Sequence, residues 1–237
     1  MTTTLITGAN KGLGFQTARQ LIAAGHTVYV GSRDSGRGRQ AAAQLGDRAR
    51  FVQIDVTDDA SVEAAAKAIE ADGGLNVLVN NAGIEARTAD NGVIGAADLT
   101  ADMTRHLFET NVFGLVRVTH AFVPLLRKSA APVIVNVSSG LGSLAAMTDP
   151  AAPGYGYPGA EYPASKAAVN MLTIQYAKAF PAMRVNAVDP GYTRTDLNGN
   201  TGTQTAQQGA GVIVRMAQTA PDGPTGGYFD ADGAIPW

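Results

Sequence analysis

Tyr162 and Lys166 stand four residues apart in the run Glu161-Tyr-Pro-Ala-Ser-Lys. Four residues is about one helical turn, so on a helix both side chains leave the same face. A lysine ammonium beside a phenol favours the phenolate and lowers the tyrosine pKa from its reference of about 10. A tyrosine so tuned can pass a proton near neutral pH, as interconversion of a hydroxyl and a carbonyl requires. The spacing is common on helices and gains meaning only from its surroundings.

A second group lies near the N-terminus, in Thr7-Gly8-Ala9-Asn10-Lys11-Gly12-Leu13-Gly14. Glycines allow a tight turn and close approach of the backbone to a pyrophosphate. A helix starting there offers free N–H groups and the positive end of its dipole. The spacing is Gly-x3-Gly-x-Gly, not the commoner Gly-x-Gly-x-x-Gly. It reads as a dinucleotide cradle, against the alternative of a tight turn without ligand. Gly31-Ser32-Arg33-Asp34 follows at the end of a second strand. An NAD-binding fold usually has a carboxylate there for the ribose hydroxyls. Ser32 takes that place, and Ser can hydrogen-bond a 2′-phosphate while Arg33 grips it bidentately. Lys11 adds charge on the same side, so the expected cofactor is NADP(H). Asp34 works against this, because a small change of register would bring its carboxylate to the ribose. Asp55-Val56 reads as an adenine contact, with Asp55 as a cap of the next helix the alternative.

Alternating apolar runs and helical patterns supply the elements that must hold these groups. Strands are expected near 3–7, 27–32, 50–54, 75–79, 132–138, 183–188 and 226–229. Helices are expected near 12–25, 37–45, 59–71, 101–127, 161–180 and 204–218. Short strands such as Val77-Leu-Val are apolar throughout, as burial on both faces demands. Parallel strands need right-handed crossovers. The expected fold is α/β: a three-layer, doubly wound Rossmann fold with a seven-stranded parallel sheet, a single domain over residues 1–237. Gly140–Gly159 is rich in Gly, Ala and Pro and lacks periodicity. It reads as a wall or lid of the site, or as a decorated surface loop.

The 237 residues are 45% hydrophobic and 16% charged, with net charge −2. Nothing in this balance suits a polyanion, so no nucleic-acid partner is expected. Cysteine is absent, which excludes disulfides, thiol catalysis and Cys-ligated zinc. His26, His106 and His120 are far apart in sequence, so neither a metal site nor a Ser-His pair is expected. No basic region precedes an apolar stretch at the N-terminus, and no apolar run has membrane-spanning length. A soluble, cytoplasmic protein is expected.

Together these pieces make the chain resemble the short-chain dehydrogenase/reductase family. Thr7–Gly14 fits its TGxxxGxG turn, and Asn80-Asn81-Ala82-Gly83 its NNAG motif. Asn111 stands where the family has an asparagine in the fifth helix. Ser139, Tyr162 and Lys166 fit the catalytic serine and YxxxK, and Pro190-Gly191 with Thr195 fits PGxxxT. The glycine turn and Ser32-Arg33-Asp34 look most like the NADPH-dependent carbonyl reductase group. The resemblance implies reduction of a ketone or aldehyde, with a small carbonyl or alcohol compound as substrate. It makes Tyr162 the proton donor, with Lys166 lowering its pKa and holding the nicotinamide ribose. Ser139 would hold the carbonyl oxygen, and Asn111 a water leading from Lys166 to solvent. Gly8, Asn10, Lys11, Gly12, Leu13, Gly14, Ser32, Arg33, Asp55, Val56, Asn81, Ala82 and Gly83 would line the cofactor cleft with Tyr162 and Lys166. Pro190, Gly191, Thr193 and Thr195 would embrace the nicotinamide end. Ser138 remains a rival to Ser139, since adjacent strand residues point to opposite faces. The Ser139–Tyr162 interval is longer than in most members, though its prolines argue against a long helix. That leaves monomer or homo-oligomer open. A dinucleotide sensor or scaffold without turnover is the second reading, although such relatives typically lack the Tyr or the Lys.

Overall fold

In a computed structural model, residues 2–237 are described, and among them seven strands form one parallel sheet in the order β3-β2-β1-β4-β5-β6-β7. The strands are β1 (Thr3–Ile6), β2 (Thr27–Ser32), β3 (Ala49–Gln53), β4 (Val77–Asn80), β5 (Val133–Val137), β6 (Arg184–Val188) and β7 (Tyr228–Phe229). Helices α1 (Gly12–Ala23), α2 (Ser35–Leu45) and α3 (Asp59–Ala71) cross between the first four strands. Then follow α4 (Ala101–Phe108), α5 (Gly114–Leu126), α6 (Leu144–Met147), α7 (Glu161–Ala179) and α8 (Ala206–Ala217). The expected doubly wound α/β architecture is therefore the observed one.

Alternation along the strands separates two apolar layers. Leu5, Leu78, Ile134 and Val185 face one side, against Val62 and Ile69 of α3 and Phe122 and Leu126 of α5. Ile6, Val79, Val135 and Val188 face the other, against Ala18 and Leu21 of α1 and Ile213 and Met216 of α8. With both faces covered, β2, β4 and β5 are buried at every position. The chain winds outward from β1 to β3, then restarts beside β1 with β4. This reversal opens a crevice at the carboxyl ends of β1 and β4, where such folds take ligands.

Two local features differ from the pattern read in the sequence. The expected helix 101–127 is two helices joined by a π turn, Glu109–Phe113, with Asn111 inside it. The 140–159 segment holds only a 3₁₀ turn (Gly140–Gly142) and the four-residue α6, consistent with its prolines. Among the described residues no helix is long and apolar enough to cross a membrane.

Candidate active site

The glycine turn comes first at the crevice. Gly8 and Gly12 adopt φ of +65° and +56°, a region that favours glycine. A Cβ at Gly14 would lie 2.6 Å from Asn81 Nδ2 and 2.7 Å from the Gly8 carbonyl oxygen. The same Asn81 side chain donates to the carbonyls of Thr7 (2.8 Å) and Gly8 (3.2 Å). Thr7 Oγ1 in turn accepts the N–H groups of Asn81 and Ala82, each at 3.0 Å. Asn81 and Ala82 thus clasp the turn as well as lining the crevice. Asp34, Asp58 and Thr205 cap α2, α3 and α8 with their side chains, whereas no side chain caps α1. The first-turn N–H groups of α1 stay available to an anion, as a pyrophosphate requires.

Asn10, Lys11, Arg37, Gln40, Gln44 and Asp196 line an open cleft of about 370 Å³ beside this turn. Asp34 accepts the Arg37 N–H at 2.9 Å and faces the start of α2, so the register that would aim it at a ribose is not adopted. Ser32 is buried and donates to the Asp34 carbonyl (2.9 Å), leaving its oxygen as an acceptor only. Lys11 pairs with Asp196 at 2.7 Å and Arg37 with Asp34 at 3.6 Å. Asp55 does not cap α3, because Asp58 does. Instead it accepts from the Thr57 N–H (3.0 Å) and hydroxyl (2.8 Å). Burial opposes ionisation of Asp55, but these bonds and the charges of Arg33 and Arg117 outweigh it and hold its pKa low.

Deeper in the crevice, Ser139, Tyr162 and Lys166 converge from the end of β5 and the first turns of α7. Lys166 is buried; its Nζ donates to the Val137 carbonyl at 2.8 Å and lies 5.6 Å from the centroid of the Tyr162 ring. Burial pushes its pKa down to about 8, against the opposing charge of Asp189. Ser139 lies near enough to the Tyr162 phenol to favour its ionised form. Ser138 instead is buried and donates to the Lys166 carbonyl at 3.3 Å. Geometry therefore separates the two serines, with Ser139 facing the phenol. Asn111 Oδ1 accepts the Ile84 N–H (2.8 Å), while its Nδ2 donates to the Ile84 carbonyl (2.9 Å) and Ser165 Oγ (3.2 Å). A Cβ at Gly83 would stand between Asn111 Oδ1 (3.4 Å) and Lys166 Nζ (3.8 Å), so these groups flank one small space.

The tyrosine departs from the expectation of a lowered pKa. Burial raises it, and Glu85 and Asp189 raise it further; the nearby Ser139 hydroxyl and Arg87 only partly offset them. The reason is that Lys166 spends its proton on Val137 while two carboxylates face the phenol. Neither Glu85 nor Arg87 was distinguished by the sequence, yet they form a nearly buried pair at 2.7 Å. Glu85 also accepts from the Tyr157 hydroxyl at 2.6 Å, tying the segment after β4 to the 140–159 segment. The Tyr157 part of that segment is thus tied to the chain after β4, while Tyr155 and Tyr192 are exposed.

The loop after β6 closes the other side. Thr193 is buried, with its hydroxyl donating toward the Pro190 (3.0 Å) and Gly191 (3.1 Å) carbonyls, so it holds the loop. Thr195 Cγ2 would be 3.6 Å from a Cβ at Gly12, bringing Pro190–Thr195 against the glycine turn. Behind Ser139, the Tyr228 hydroxyl donates to the Ser139 carbonyl, and Trp237 stacks on the Tyr228 ring at 5.3 Å. The Ala145 N–H donates to the Trp237 carbonyl (3.0 Å), so the chain end braces the segment after Ser139.

The short chain dehydrogenase family model matches residues 2–206. A (+)-neomenthol dehydrogenase of Capsicum annuum is 30% identical, over 95% of this chain and 94% of its own length. Salutaridine reductase from Papaver somniferum has a structure similar at a TM-score of 0.85 and 30% identity, covering 97% of this chain and 99% of that one. The NADPH bound carbonyl reductase from chicken fatty liver also gives 0.85, at 27% identity over 99% and 98% of the two chains. Strand order, motif placement and whole-length similarity agree: the chain belongs to the short-chain dehydrogenase/reductase family of oxidoreductases.

Proposed function

We propose that this chain is an NADPH-dependent reductase that converts a ketone or aldehyde to an alcohol, with Tyr162 as the proton donor. The convergence of Ser139 and Lys166 on the Tyr162 phenol carries the reading. The uncapped α1 and the space that a Cβ would fill at Gly14 fit a dinucleotide. Gly8, Asn10, Lys11, Gly12, Leu13 and Gly14 would hold its pyrophosphate, and Arg33 and Arg37 a 2′-phosphate, the Ser32 hydroxyl being engaged by the Asp34 carbonyl. Asp55 and Val56 would border its adenine, Asn81 to Gly83 its middle, and Pro190, Gly191, Thr193 and Thr195 its nicotinamide end. When bound, the nicotinamide supplies hydride to the carbonyl carbon.

Tyr162 gives a proton to the carbonyl oxygen. A phenol held above its ordinary pKa stays protonated at neutral pH, which is the form an acid in reduction needs. The Ser139 hydroxyl donates to the same oxygen and stabilises charge developing on it. Lys166, titrating near neutrality, returns a proton toward Tyr162, and Asn111 borders the space through which water would reach it. Relatives named salutaridine reductase and carbonyl reductase support the reductive direction.

The test is NADPH oxidation, followed by absorbance, against a panel of ketones, aldehydes, quinones and 3-oxoacyl thioesters, with NADH in parallel. Tyr162→Phe should lower turnover by roughly 10²–10⁴-fold and leave NADPH affinity nearly intact. A Phe variant as active as the parent would sink the mechanism.

A further inference from the structure

Asp189 stands between two turns of the site and belongs to none of the motifs. Its Oδ1 accepts the Gly191 N–H at 2.9 Å, and the Gly140 N–H is near enough to favour the ionised carboxylate. The approach is so close that a Cβ at Gly140 would lie 2.8 Å from Asp189 Oδ2, with no atom outside Asp189 within 4 Å. One carboxylate thus joins the turn after β5, which carries Ser139, to the Pro190-Gly191 turn after β6. It also lies in the field of Lys166, with which it interacts favourably.

We infer that Asp189 is a positioning residue for the Tyr162–Lys166 pair: its carboxylate clips the Ser139 turn to the Pro190 turn and supplies the negative charge that faces Lys166. The inference rests on reading Ser139, Tyr162 and Lys166 as the reacting set. A neutral amide could keep the Gly191 hydrogen bond. Only a carboxylate also offsets the cost of burying the ammonium. The other charged and titratable groups around this cluster are Glu85 and Arg87 from the segment after β4, and Tyr228 and Asp230 from β7 and its end. Of the carboxylates, Asp189 is the one whose charge acts on both Tyr162 and Lys166.

The chain has five lysines, so the Lys166 side chain can be followed by NMR of ¹³C-labelled lysine without any turnover, with Lys166→Met giving the assignment. In Asp189→Asn the Lys166 midpoint should fall from about 8 by roughly half a pH unit or more. The NADPH dissociation constant should rise, and turnover should drop at least tenfold. A midpoint that does not move overturns the inference whatever the turnover. A parent chain that reduces no carbonyl, yet whose Lys166 midpoint follows Asp189, supports the coupling and overturns the reductase reading alone. Should Asp189→Asn fail to fold, Gly140→Ala keeps the charge and forces the carboxylate off the Ser139 turn. Turnover at the parent level in that variant overturns the clip, and a tenfold loss supports it.

Discussion

At the residue scale, the site holds groups in states that folding alone would not favour. Lys166 is 6% exposed, and its Nζ has one hydrogen bond, to the Val137 carbonyl. Its folded pKa of about 8 lies below the ordinary lysine value of 10.5, a difference worth about 3 kcal/mol. The sign follows from the direction. The unfolded chain binds the proton more tightly, so the charged lysine costs stability below about pH 8, and the cost fades as pH rises toward 10.5. Lys166→Met removes that cost but leaves the Val137 carbonyl unpaired, worth about 1–3 kcal/mol. The variant should therefore melt at or above the parent at pH 7 and fall behind it between pH 8 and 10, while losing turnover. Melting curves at four pH values check this; a difference in Tm that stays flat with pH contradicts it. The spacing of Tyr162 and Lys166 was plain in the sequence, but the sign of the tyrosine shift was not. Glu85 and Asp189 approach the phenol from the ends of other strands, and no local pattern records that.

At the element scale, the glycine turn shows which positions the backbone dictates. Gly14 opens α1 against Asn81 and the Gly8 carbonyl, whereas Gly211, inside α8, has nothing within 4 Å of where its Cβ would be. Gly14→Ala must push the turn away from β4 and should weaken NADPH binding by tenfold or more. Gly211→Ala should leave binding unchanged and raise stability by about 0.5–1 kcal/mol, the helix-propensity gain. Titration of nucleotide fluorescence and thermal melts on both variants decide between a shaped cradle and a merely flexible turn. Equal binding by the two would remove the cradle. The strands and most helices were readable because apolar periodicity survives in short windows. The break at Glu109–Phe113 was not, since a π turn adds one residue without disturbing the apolar pattern on either side. It nonetheless turns Asn111 onto the Ile84 backbone, 27 residues away in sequence.

At the scale of the whole molecule, charge is distributed against the net value of −2. Lys11 from the glycine turn and Arg37 from the start of α2 line one cleft, and Arg33 follows the end of β2. Lys11 and Arg37 each have a carboxylate partner, Asp196 and Asp34, in exposed pairs. Such pairs are worth about 1 kcal/mol or less, so both cations remain available to a stronger anion. Arg33 has no carboxylate within ion-pair distance among the described residues, although its charge acts on Asp55. Arg33 was legible as the residue after Ser32; Arg37 was not, because its place beside Lys11 depends on α2 packing next to the turn. On the proposed reading a dianionic 2′-phosphate would meet the Arg33 and Arg37 guanidinium groups, and NADH carries no such phosphate. Arg33→Ala with Arg37→Ala should lower the ratio of kcat/KM for NADPH over NADH by roughly tenfold or more, leaving kcat with saturating NADPH nearly unchanged. Because these cations are exposed, the parent's preference for NADPH should itself shrink as ionic strength rises past about 0.15 M. A preference insensitive to both salt and the double variant would mean that discrimination comes from the backbone N–H groups at the end of β2.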